Sequence, residues 1–456
     1  MNPVLDRIET NYSLLPEINT PIPGPKTQAL IAKDSQYVTP SYPRPYPLSV
    51  ADAKGCMVTD LDGNHFLDLN AGIAVVSTGH SHPEVVEVIQ EQARRFIHMA
   101  GMEFYYHPMA DLAEKLALSV PGKSPKKVFF CNSGTEAVEG AMKLARHKTG
   151  RQKFISFFRG FHGRTYGSMS LTASKSSQQA TFSPLVPGVY HAHYPYTYRC
   201  PFNTQSPEAC ARASLEYIEE YLFKMVVPPN EVAAIILEPI LGEGGYVVPP
   251  AGFLNQLSAL AHKHGILIIC DEVQSGVGRT GKLWACEWEE GFEPDILLSA
   301  KGLASGLPLG AIIAKSEIMT WGPGAHASTF GGNPVNCAAA IKTLELVENG
   351  LMQNAEIQGN YLMDGLRELQ LQTPYIGEIR GRGLMIGVEI VQNQASKEKA
   401  PQIRDYLVQA AFERGLLILG CGESSIRFSP PLVLQQEQVD YTLAVLTELL
   451  AKAPGN

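Results

Sequence analysis

Ile266-Leu267-Ile268-Ile269-Cys270-Asp271-Glu272-Val273-Gln274-Ser275-Gly276 is an apolar, mostly branched run that ends in acids. A second run, Asp295-Ile296-Leu297-Leu298, leads into Ser299-Ala300-Lys301-Gly302, a lysine flanked by small residues. Runs this continuous, without polar alternation, read as strands buried on both faces of a parallel sheet. Each strand ends in an ionisable group, and ligands of open α/β sheets gather at those carboxyl ends.

The pattern repeats outward from these two runs. Strands are expected over 127–131, 154–158, 233–237, 266–273, 296–299 and 310–314. Helices are expected over 135–147, with Ala137, Val138, Ala141, Met142 and Ala145 on one side, and over 252–263. Strand–helix alternation predicts an α/β fold with a mostly parallel central sheet flanked by helices, over residues 81–340. Two alternating runs around Asp62-Gly63-Asn64 read as a hairpin. With the strand-like 384–390 and 426–428, it assigns residues 51–80 and 341–456 to a smaller α+β domain. Residues 1–50 carry nine prolines and read as an extended arm, which Tyr42, Tyr46 and Leu48 would dock on a surface. The segment 172–212, rich in Ser, Pro and Tyr, reads as a long functional loop or insertion.

A chain of 456 residues exceeds one compact core, which supports two domains. A net charge of −8 without a basic cluster argues against nucleic acid. No apolar run reaches membrane-spanning length, and the first residues resemble no targeting segment, so a cytoplasmic location is expected. Eight cysteines without a CxxC read as thiols; Cys200 and Cys210, in an irregular polar segment, could pair or bind a metal, with two free thiols the favoured reading. His80-Ser81-His82 and His191-Ala192-His193 lack further ligands at metal spacing, so no metal is expected. Gly276-Val277-Gly278-Arg279-Thr280-Gly281 fits a dinucleotide pattern by letters alone. No apolar helix follows it, and Leu283 stands where a P-loop needs Ser or Thr.

Other motifs sit at strand ends. Asn132-Ser133-Gly134-Thr135-Glu136-Ala137 opens a helix after a strand, where free amides and hydroxyls suit a phosphate. In Phe161-His162-Gly163-Arg164-Thr165, the aromatic suits stacking and the arginine suits a carboxylate. Glu238-Pro239-Ile240-Leu241-Gly242-Glu243-Gly244-Gly245 adds two acids in a glycine-rich turn. A buried lysine near a strand-end carboxylate suits pyridoxal 5′-phosphate (PLP), the lysine as Schiff-base amine and the acid on the pyridine nitrogen.

With Gly72-Ile73-Ala74-Val75 and Thr329-Phe330-Gly331-Gly332-Asn333-Pro334, these motifs resemble the class III aminotransferases, PLP enzymes of fold type I. The likeness runs from about residue 45 to 445. It implies that Lys301 carries the cofactor and moves the proton between Cα and C4′, and that Asp271 pairs with the ring nitrogen. It implies that Phe161 and Val273 sandwich the ring, that Gln274 lies near its 3′ oxygen, and that Ser133, Gly134 and Thr135 hold the phosphate. His162 and Glu238 would line the same site, and Ile73 the substrate. Thr329 would reach the neighbouring subunit's phosphate, so a homodimer with shared sites, or a dimer of such dimers, is implied. Arg164 and Arg427 look like two carboxylate clamps, with Glu243 masking Arg427 when an ω-amino acid binds.

The implied reaction is transfer of an ω-amino group, of 4-aminobutyrate, ornithine or acetylornithine type, to 2-oxoglutarate. The insert over 190–212 is similar to that of a branch containing racemases and an isoleucine epimerase, the alternative reading. A non-catalytic PLP-binding protein is a third, against which the intact Lys301/Asp271 pair stands. An epimerase needs a second acid/base on the far face of Cα. Retention of both Glu243 and Arg164 favours transamination.

Overall fold

The structure, a computed structural model, describes residues 13–204 and 206–454. Its central sheet has seven strands in the order Lys126–Cys131, Gly310–Lys315, Ile296–Ser299, Leu267–Asp271, Val232–Leu237, Lys153–Phe157, Val189–Ala192. From Ile296–Ser299 outward to Val189–Ala192 every pair is parallel. Gly310–Lys315 opposes both its neighbours, so Lys126–Cys131 points the same way as the parallel strands. All residues of Val232–Leu237 and Ile296–Ser299 are buried, as strands covered on both faces require. Each buried Ile or Leu there contributes roughly 1.5–3 kcal/mol over exposure. Helix Gly134–Thr149 buries the expected face, Ala137, Val138, Ala141, Met142 and Ala145.

A smaller antiparallel sheet joins Ile376–Arg382, Met385–Ile390, Ser425–Phe428 and Leu419–Cys421. Another joins Asp52–Lys54 to the hairpin strands Met57–Thr59 and His65–Asp68. Leu416–Leu417, from near the other end of the chain, completes that sheet by pairing in parallel with His65–Asp68.

Three expectations need correction. The arm over 1–50 is not extended throughout, because Pro25–Tyr37 is a helix. Pro25 occupies its first turn, where a missing N–H costs nothing. Asp62 of the hairpin turn accepts from the amides of Lys26 and Thr27 at 2.9 and 2.8 Å, capping that helix from outside. Residues 1–12 lie outside the described residues. The docking of the arm does appear: Tyr46 stacks on Phe412 at 4.6 Å between centroids and donates to the Ile418 carbonyl. The strand expected over 266–273 stops at Asp271, where the chain turns. The segment 172–212 is more than a loop. It holds the sheet-edge strand Val189–Ala192 and begins the helix Pro207–Glu216, too short and too proline-flanked to stand out in sequence.

The glycine run after Asp271 is a series of turns. Its backbone packs so closely on Gly383 that a Cβ there would lie 2.5 Å from the Thr280 carbonyl carbon. His80 pairs with Asp68 at 2.8 Å, and His191 stacks beside Phe158 at 5.5 Å. All eight cysteines are free.

Candidate active site

Because five strands and Lys126–Cys131 run one way, their carboxyl ends meet along one edge. Ser133, the loop from 158 to 165, Glu238, Asp271 and Lys301 all follow such ends. The convergence is a result of topology and needs no local motif.

Asp271 is buried, and its Oδ2 lies 2.7 Å from His162 Nδ1, while Oδ1 accepts from Val273 N–H at 3.1 Å. Burial opposes a charge on His162, but Asp271 and Glu238 outweigh it and hold the imidazole above its ordinary pKa. Glu238 accepts from the amides of Phe161 (3.0 Å) and Gly242 (2.9 Å), fixing both loops. Burial pushes its carboxyl up to about 7, against the pull of His162. Lys301 has left-handed backbone, φ +43, at the start of the turn Lys301–Ala304. Burial first, and Arg427 second, lower its amine to about 8, with Glu238, Asp271 and Glu243 opposing.

Ser133 caps helix Gly134–Thr149, its Oγ accepting from Glu136 N–H at 3.3 Å. Glu136 folds back to accept from the Asn132 amide at 3.0 Å and from the Ser133 hydroxyl at 3.2 Å. The amides of Gly134 and Thr135 have no acceptor within the helix. A Cβ at Gly134 would stand 2.7 Å from Val273 Cγ1, so only glycine lets the helix N-terminus and the Val273 side chain meet. Thr135 Oγ1 lies 2.8 Å from Thr165 Oγ1 and 2.6 Å from Ser168 Oγ.

Arg427, buried, donates to Glu243 Oε2 at 2.9 Å. Lys175 reaches Glu243 Oε1 at 2.7 Å. Burial pushes Glu243 up, but the two cations win and hold it below the usual carboxylate range. Ile73 projects from Ala71–Ala74, four consecutive residues with φ between +50 and +67. This left-handed turn is tied to the arginine strand by Ser429, whose N–H donates to Leu69 O (2.8 Å) and whose hydroxyl donates to Asn70 O (3.3 Å).

The expected residues are therefore linked as Asp271–His162, Phe161–Glu238, Gly134–Val273 and Glu243–Arg427. Gln274 joins them, packed so tightly on Gly242 that a Cβ there would meet its amide at 2.8 Å. Arg164 stays exposed over the Phe161 ring at 5.5 Å, and Thr329 is exposed. Lys175, Thr165 and Ser168 were not assigned from sequence. Lys175 is one lysine in a serine-rich stretch, with no signal of its own. Cys286 was also unforeseen: with Cys270 and Glu272 it forms a buried cluster whose polar atoms lie within 4.8 Å of one another. Glu272 there accepts from Cys286 N–H at 2.7 Å, and burial pushes it up to about 7.

These residues fit PLP. A helix N-terminus with spare amides suits its phosphate, a buried carboxylate its ring nitrogen, and a lysine lowered to about 8 its aldehyde. Gln274 Oε1 and His162 Nε2 are buried and unpartnered among the described residues, so polar capacity remains at the site.

Fold and site together define a PLP enzyme of fold type I. The aminotransferase class-III profile matches residues 38–450, and the chain belongs to that family. The 4-aminobutyrate aminotransferase of Mycobacterium bovis is 40% identical over 444 residues, spanning 95% of this chain and 97% of that protein. The isoleucine 2-epimerase of Lentilactobacillus buchneri is 38% identical over 428 residues, spanning 93% and 94%. An amine transaminase from an uncultivated Pseudomonas species, solved with PLP bound, superposes with a TM-score of 0.83 at 29% identity, covering 91% of this chain and 97% of that one. The protein is a PLP-dependent transaminase acting on amino and oxo acids.

Proposed function

We propose that this enzyme moves the terminal amine of an ω-amino acid, of 4-aminobutyrate, ornithine or acetylornithine type, to 2-oxoglutarate. The observation that carries the reading is the Arg427–Glu243 pair at 2.9 Å. Paired with Glu243, Arg427 leaves no unpaired buried charge facing the uncharged carbon beside the terminal amine of an ω-amino acid. Once Glu243 moves aside, the same guanidinium can hold an α-carboxylate by two parallel hydrogen bonds. Arg164 at the pocket mouth is assigned the distal carboxylate, and Ile73 an apolar wall.

Bound PLP supplies the electron sink for the substrate's reacting carbon. Lys301, its amine lowered to about 8, would take the proton from that carbon and return it two atoms along, at C4′ of the cofactor. Asp271 keeps the ring nitrogen protonated, and His162 orients Asp271. Ser133, Gly134 and Thr135 hold the phosphate, Phe161 and Val273 clamp the ring faces, and Gln274 takes the 3′ oxygen. Glu238 fixes the Phe161 loop against the turn that carries Glu243.

We infer a homodimer with shared sites, Thr329 completing the phosphate cradle of the other subunit. Supporting this, Phe330 is exposed and stacks with His98 beside exposed Ile97, Met99, Met102, Phe104 and Tyr105, an apolar face that suits a second copy. Eight free cysteines suit a reducing compartment, in keeping with the cytoplasm.

The test is a donor screen with 2-oxoglutarate, read as glutamate formed. Terminal amines should outpace α-amino acids without a second amine. Equal turnover of L-alanine would overturn the ω-specificity. A second reading, racemisation or epimerisation, is favoured by the 38% identity to the epimerase. Steady loss of optical rotation from one L-amino acid, without amine transfer, would establish it in place of the first.

A further inference from the structure

Cys200 and Cys210 have no part in the mechanism above. They lie between the sheet-edge strand Val189–Ala192 and the first turn of helix Pro207–Glu216. Seven of the eight cysteines are buried, and Cys200 alone is partly exposed. It lines a cleft of about 490 Å³ with Tyr198, Arg199, Asn203, Glu378 and Lys397, so a small solute can reach its sulfur. The Cys210 thiol lies against that sulfur from the buried side. Thr204 Oγ1 stands 3.3 Å from it, and the backbone amides of Phe202 and Thr204 add further donors.

This is an anion-holding environment around one thiol. Burial alone would raise Cys200. The hydrogen bonds from Cys210, Thr204 and the two amides outweigh it and hold the thiol below its ordinary value. Cys210, fully enclosed, is pushed up to about 12 and stays a neutral thiol. A partly exposed thiol held below its ordinary pKa, with a neutral thiol against it, is the arrangement of a redox pair.

We propose that Cys200 and Cys210 form a reversible dithiol–disulfide site, with Cys200 the attacking thiolate and Cys210 the resolving thiol. Cys200 sulfur attacks a hydroperoxide oxygen, the O–O bond breaks, and water or an alcohol leaves as Cys200 becomes a sulfenic acid. Cys210 sulfur then attacks Cys200 sulfur, its proton leaves with the hydroxyl as water, and the disulfide forms. The two thiols lose two electrons and the peroxide gains them; an external dithiol reverses the change. The crosslink would tether the turn Thr197–Arg199 to helix Pro207–Glu216. Beside that turn, Tyr194 donates to the Glu238 carbonyl (3.1 Å), while Tyr196 (3.1 Å) and Arg199 (2.7 Å) donate to Glu389. The site therefore adjoins the support of the turn that bears Glu243.

The holoenzyme would be treated with hydrogen peroxide at one equivalent per chain and mapped by mass spectrometry. The expected result is loss of two hydrogens confined to the Cys200 and Cys210 peptides, reversed by dithiothreitol, with cofactor retained and a higher unfolding temperature in the oxidised form. In Cys210→Ser, Cys200 should instead give a sulfenic acid trapped by dimedone. In Cys200→Ser, Cys210 should stay reduced. Both variants, when reduced, should keep the parent kcat/KM. Oxidation of the buried thiols before Cys200, or a sulfinic acid at Cys200 in the parent protein without a crosslink, would overturn the proposal.

Discussion

In the proposed reaction the Lys301 amine must be uncharged to attack a carbonyl and basic enough to take a proton from carbon. Burial and Arg427 reconcile the two demands by lowering it to about 8. Rebinding of PLP to the apoenzyme should therefore accelerate with a midpoint near pH 8, read by the visible absorption of the bound cofactor. In Arg427→Met a neighbouring positive charge is removed, the charged amine is favoured, and that midpoint should move to higher pH. An unmoved midpoint would rule out the arginine as a cause. Asp271→Asn leaves the shape but removes the charge on the ring nitrogen, so kcat should fall by on the order of 10²–10³. Lys175 acts more weakly, because it is exposed. Without it Glu243 loses its second partner and is less readily drawn from Arg427. Lys175→Met should raise KM for 2-oxoglutarate by no more than about five-fold while leaving the ω-donor half-reaction unchanged. Asp271 and Lys301 were legible because strand ends in an apolar run leave few places for a charge. Lys175 was not, because its meaning depends on a contact with a residue far along the chain.

Secondary-structure elements act here through close approach. Helix Gly134–Thr149 can present its N-terminus to the site only because Gly134 has no Cβ to meet Val273. Gly134→Ala should cost about 1–3 kcal/mol by overpacking, seen as PLP lost on dialysis before any loss of fold. The left-handed turn Ala71–Ala74 is costly backbone, roughly 1–2 kcal/mol for each residue other than glycine. Its three such residues are held by contacts with Ser429 and the strand behind it. Periodicity revealed the helices over 135–147 and 252–263 to within a few residues, since packing there follows the local pattern. It missed helix Pro25–Tyr37, which is capped by Asp62 from another element, and the edge strand Val189–Ala192, which exists through pairing with Lys153–Phe157.

For the molecule as a whole, sharing of sites is open to a direct test. Lys301→Ala and a Thr329 variant should each be impaired. If Thr329 serves the partner's site, a mixed dimer holds one site with both defects and one with neither. Unfolding and refolding the two variants together should then recover activity above either parent. Failure to exceed the parents, with mixed dimers demonstrated by mass, would place Thr329 in its own subunit's chemistry.

The order of apolar strands and periodic helices determined the α/β sheet, and strand-end chemistry determined that Lys301 and Asp271 are the buried ionisable groups on which the PLP site is proposed. Both follow from local rules: where a strand is buried on both faces, and what a charge costs there. Tertiary structure alone decided that His162 supports Asp271, that Glu243 lies between Arg427 and Lys175, and that Cys200 rests against Cys210. These contacts join residues whose spacing in sequence carries no signal. They arise because parallel strands bring their carboxyl ends to one edge, and because the C-terminal sheet lays Arg427 over it.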